Sequence, residues 1–200
     1  MSGRTGSRGP RAGSIVVGVL RLARGRADGL SQFGGTRDSF LASLAPVVAF
    51  PLVGAMLMLL GGGGAAALSS LLVALCALLA PPVLSFEVAR MWGRQEAWLR
   101  YATAYNWCQW VIPVVGSLLL LGFGILAALG LPRGAARIGV VLGLASYGLW
   151  LHWFLARHGL ALTRLRAVLM VIGVNLLTAL IVLGPRMLVL TGGDAGLPGK

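Results

Sequence analysis

Few side chains in this 200-residue chain could do chemistry: two histidines (His152, His158), two cysteines (Cys76, Cys108), five acidic residues and the carboxamide of Asn175. A metal site needs several His, Cys or carboxylate ligands gathered together, and neither histidine has Cys, Asp or Glu at ligand spacing. HExxH, GxSxG and Cys-x-x-Cys are absent, and the glycine run 61–64 lacks the Lys-Ser/Thr that a nucleotide loop requires. The expectation is a non-enzymatic protein with no catalytic residue, no cofactor and no metal. Cys76 and Cys108 lie in separate apolar stretches at different depths, which predicts two free thiols.

The remaining candidates concern packing and partners. Asn175 falls near the middle of an apolar stretch, where an unpartnered amide is costly, so it is expected to face protein and bond to another helix. Gly139 and Gly143, continued by Ser146, form a small-residue face that lets a neighbouring helix approach closely. Glu87 has Arg90 three residues on, near enough to pair on a helix. Segment 91–110 places four of six tryptophans and two tyrosines beside Arg94 and Arg100. Its Trp98, Tyr105, Asn106 and Trp107 suit either an interfacial anchor or a docking surface for a cytoplasmic partner or lipid.

The elements that position these residues follow from composition. The chain is 58% hydrophobic and 11% charged, with mean hydropathy +0.87. A soluble domain carries about a quarter charged residues, so this is a membrane protein. Uncharged runs cover 39–86, 101–132, 138–156 and 167–185. The first holds 48 residues, about 72 Å as one helix against about 30 Å of hydrocarbon, so it must fold in two at glycines 61–64. Five spans are therefore predicted, near 41–60, 65–86, 108–129, 138–154 and 167–183, in an all-α polytopic membrane helix bundle. Pro46, Pro51, Pro81, Pro82 and Pro113 should kink or interrupt their helices.

Net charge is +12, and in so apolar a chain it indicates topology and contact with anionic headgroups rather than nucleic-acid binding. Seven arginines precede the first span, three join spans two and three, and three join spans four and five. The opposite side carries Arg133, Arg137, Arg186 and Lys200. The positive-inside rule then gives a cytoplasmic amino terminus and an external carboxyl terminus. Residues 1–13 read as a disordered basic tail and 14–38 as an interfacial amphipathic arm. The five-helix domain covers 39–186, and 187–200 reads as a flexible external tail. In the arm, Ile15, Val16, Val19, Leu20 and Leu22 should face inward, with Arg21 and Arg24 toward phosphate. Sixteen arginines against one lysine, with 30 glycines, match GC-rich bacterial coding and the inner membrane.

Two stretches, RLARGRADGLSQFGGTRDSF beginning at Arg21 and RYATAYNWCQW beginning at Arg100, resemble a group of bacterial five-span proteins. That group is similar in layout to the YIP family of Rab-interacting membrane proteins. The resemblance implies a small non-enzymatic membrane protein with a cytoplasmic amino terminus. The expected function is helix-mediated association, as a homo-oligomer or with a membrane-protein partner, or local membrane organisation. A small permease or transport accessory is the alternative. A reporter fused after Lys200 tests the orientation: alkaline phosphatase should be active there and a fluorescent protein dark, and the reverse pattern inverts the topology.

Overall fold

The computed structural model describes residues 12–193, with side chains over 13–184. All of its regular structure there is helical: α1 (Ala12–Ala23), a 3-10 turn (Ala27–Gln32), α2 (Arg37–Leu60), α3 (Gly64–Met91), α4 (Gln95–Cys108), α5 (Val111–Ala128), α6 (Arg133–Gly159) and α7 (Arg164–Gly193). Five helical stretches are long and apolar enough to cross a membrane: Arg37–Leu60, Gly64–Met91, Gln95–Ala128, Arg133–Gly159 and Arg164–Gly184. Each is longer than the span predicted for it, because a helix can continue past the hydrocarbon into the headgroups. Two tail boundaries move. α1 starts inside the stretch read as disordered, and α7 continues to Gly193, into the stretch read as a flexible tail. The rest of both tails, 1–11 and 194–200, lies outside the described residues.

Thr36 starts α2 by accepting the Ser39 N–H on its hydroxyl at 3.2 Å. The α2–α3 hairpin turns at glycines 61–63, where Gly62 has φ +85°, a conformation that costs other residues their Cβ clearance. Pro46, Pro51, Pro81 and Pro82 all lie inside continuous helices. Pro113 behaves differently. Its ring conflicts with the carbonyl four residues earlier, that of Gln109, and it cannot donate to it. The helix breaks there, and the Ile112 N–H takes the Gln109 carbonyl instead, at 3.2 Å. The third candidate span, 34 residues or about 51 Å of helix, is thereby divided into α4 and an 18-residue α5.

In contact order the long helices run α2, α3, α7, α6, α5, while α4 packs on α2, α3 and α6 and carries α1 on its flank. The core gathers around α4: Tyr101, Ala104 and Cys108 are buried with Leu22 of α1, Leu155 of α6 and Met170 of α7. Away from this hub most apolar side chains face outward, as lipid permits.

Gly139 and Gly143 face α5. A Cβ on Gly139 would collide with the ring of Phe123, whereas one on Gly143 would meet only the tip of Leu119, at 3.2 Å. Gly139→Ala should therefore destabilise the protein in detergent by about 1–3 kcal/mol. Gly143→Ala should be near neutral, because the helix-propensity gain of about 0.5–1 kcal/mol offsets a small displacement of Leu119. Thermal unfolding of the two variants checks the difference, and Phe123→Leu should restore part of the loss at Gly139.

Candidate functional site

Hydrocarbon satisfies no polar group, so every polar side chain brought into the bundle must find a partner there. Among the described residues no buried side-chain nitrogen or oxygen lacks one. α4 supplies many of these groups, and two bonds of the same design hold it to the first hairpin. The Ser43 hydroxyl donates to the Phe40 carbonyl at 2.6 Å and accepts from Asn106 Nδ2 at 3.0 Å. The Ser85 hydroxyl donates to the Pro82 carbonyl at 2.9 Å and accepts from Trp98 Nε1 at 3.1 Å. Each serine satisfies its hydrogen within its own helix and offers a lone pair to α4. Trp98 also packs edge-on against Phe86 and tilted against Phe40.

A third polar chain joins α4 to α6 and α7. Asn175 of α7 donates Nδ2 to the Val171 carbonyl at 2.7 Å, which fixes which end of the amide is nitrogen. The same nitrogen lies 3.2 Å from His152 Nδ1. Nδ1 therefore accepts, and the proton of the neutral ring sits on Nε2. From there it donates to the Tyr101 hydroxyl oxygen at 3.1 Å. Tyr105 packs against both the Tyr101 ring and the His152 imidazole. Three helices are thus joined by one run of uncharged groups.

This chain borders a cavity of about 400 Å³. Tyr105, Cys108, Gln109 and Ile112 line it from the α4–α5 joint, Ala145, Gly148, Leu149, His152 and Leu155 from α6, and Asn175 from α7. The break imposed by Pro113 falls at Gln109, so the same joint that ends α4 contributes a carboxamide to the cavity. Ala145, Leu149 and Asn175 are exposed, so the cavity opens to the outside of the protein. No charged residue lines it.

Trp107 belongs elsewhere. With Trp110 and Pro46 it lines an apolar groove under α1, while Leu22 of α1 is fully buried and Val16 and Leu20 remain exposed. Arg21, expected to meet phosphate, pairs with Asp28 at 3.2 Å, as does Arg26 at 2.9 Å. Arg24 has no ion pair among the described residues. The Glu87–Arg90 pair is present at 2.6 Å. Arg157 and Arg166 sit over the rings of Trp153 and Trp92. Cys76 is exposed and Cys108 buried, both as free thiols. Among the described residues no group of three or more His, Cys, Asp or Glu could hold a metal ion.

The structure brings Asn175 and Tyr105 to one cavity, binds Trp98 and Asn106 to α3 and α2, and leaves Gly139 and Gly143 in the α5–α6 seam. Sequence reasoning found no metal-ligand partner for His152 and missed its hydrogen-bond partners, Tyr101 and Asn175. The available signal was Ala145 and Gly148, small residues one and two turns before it on the same face of α6. No protein-family model, curated protein or solved structure matches the chain.

The serine bonds give a measurable coupling. Ser43→Ala and Asn106→Ala should each destabilise, and their double-mutant cycle should show about 0.6–1.7 kcal/mol of interaction, the range for interhelical bonds in membranes. Ser43→Ala paired with Trp98→Phe, which share no bond, should be additive.

Proposed function

We propose that this is a multi-pass protein of the bacterial inner membrane, with its amino terminus in the cytoplasm and its carboxyl terminus outside. It works without catalysis, through helix-mediated association or by organising the bilayer around it. The observation that carries this reading is the outward distribution of small residues on apolar helices. Gly54 of α2, Gly122 and Gly124 of α5 and Gly173 of α7 all have open space where a Cβ would be. In lipid, apolar exposure alone gives helices no reason to associate, and close backbone approach at such positions does. α1 supports the membrane-organising half, since Val16, Val17 and Leu20 are exposed beside its buried Leu22. The likeness in layout to the YIP family adds a non-enzymatic role to the same reading. Anionic lipid at the arm and a homo-oligomer or membrane-protein partner are the implied contacts.

A small permease or transport accessory is the second reading, favoured by the uncharged polar cavity of Gln109, His152 and Asn175. Reconstitution separates the two. Under the association reading, the protein in nanodiscs or native membranes crosslinks into a defined oligomer or with a defined partner. Leu in place of Gly122 and Gly124 should abolish that product while folding is retained. Uptake of a defined solute into proteoliposomes, lost on Asn175→Leu, would replace this reading with the transport one.

A further inference from the structure

We infer that the cavity between the α4–α5 joint, α6 and α7 binds an uncharged, hydroxyl-bearing amphiphile, with its head at Asn175 and its tail along the apolar wall. Three observations converge. Asn175 uses Nδ2 for both the Val171 carbonyl and His152, so its Oδ1 is an acceptor with no partner among the described residues, in an exposed residue at the cavity wall. An acceptor at this depth, about 16 Å along α7 from Arg164, requires a donor. Ketones, esters and quinones accept only and cannot supply it.

Charge narrows the class further. No Asp, Glu, Lys or Arg lines the cavity, so an ammonium or phosphate head would lie there without a counter-charge in a low-dielectric site. A hydroxyl donates without carrying charge. It can also accept, which suits a wall that holds Tyr105 and Gln109, one turn apart. The rest of the lining, Ile112, Leu149 and Leu155 among it, is apolar and fits a hydrocarbon tail. This site is independent of the outward glycines that support association, so either can fail without the other.

The test uses the full-length protein in nanodiscs of zwitterionic lipid. Dioleoylglycerol, trioleoylglycerol, glycerol and dioleoylphosphatidylglycerol are the probes, and thermal stabilisation and retention in native mass spectrometry are the readouts. Dioleoylglycerol should stabilise the protein, trioleoylglycerol should not, and Asn175→Leu should weaken dioleoylglycerol binding about tenfold or more. Gln109→Leu serves the same purpose if Asn175→Leu does not fold. Glycerol binding that is lost in the same variant supports the hydroxyl chemistry and assigns it to a free polyol instead of a lipid. The inference is overturned by equal binding of the two acylglycerols, by preference for the anionic lipid, by unchanged affinity in the variant, or by no binding of any hydroxyl probe, which would leave water as the partner of Asn175.

Discussion

Lipid removes the force that folds most proteins. Apolar helices are as well solvated by acyl chains as by one another, so a five-span bundle needs something else to give it a shape. Here that is α4, whose buried residues include Tyr101, Thr103 and Asn106. Asn106 and Trp98 bind it to α2 and α3 through serine hydroxyls, and Tyr101 binds it to α6 and α7 through His152 and Asn175. An unmade bond in this region has no water to replace it, so partner choice is enforced by the cost of the alternatives.

The two hairpins solve the packing problem differently. α5 and α6 meet through Gly139, whose missing side chain receives the ring of Phe123. α2 and α3 are joined by a glycine turn at one end and pinned through α4 at the other. α7 then lies between α3 and α6, where Arg166 covers Trp92 and the Trp153 indole reaches the Arg164 carbonyl at 3.4 Å. Most of the aromatic side chains gather at this one end, where polar and apolar surroundings meet and ring and cation can both be satisfied.

How much of this the sequence discloses depends on the range of each interaction. Spans are legible because hydrocarbon excludes charge over about 20 consecutive residues, and the glycines at 61–64 are legible because nothing else explains them. The effect of Pro113 is local too, and only its expression, an interruption of the helix at Gln109 and Trp110, needs coordinates. The partners of His152 lie 51 and 23 residues away. Its nearest tryptophans, Trp150 and Trp153, disclose neither of them. Ser43 and Ser85 were invisible for a related reason: a lone serine in an apolar helix normally bonds its own backbone, and only the approach of α4 reveals the second lone pair in use.

The placement of α7 bears on how the protein is made. During synthesis the α2–α3 hairpin can enter the bilayer as a unit, and α5–α6 can follow as another, since each closes on chain that has just emerged. Tyr101 and His152 can meet once α6 is in place. The contact that joins the two hairpins through α3, α7 and α6 involves the helix that follows all the others among the described residues. Until then α3 and the His152 end of α6 expose surfaces meant for protein, including the imidazole that Asn175 will engage. A chain made only as far as α6 therefore leaves His152 Nδ1 without its partner, and that state lasts for the time needed to translate and insert α7.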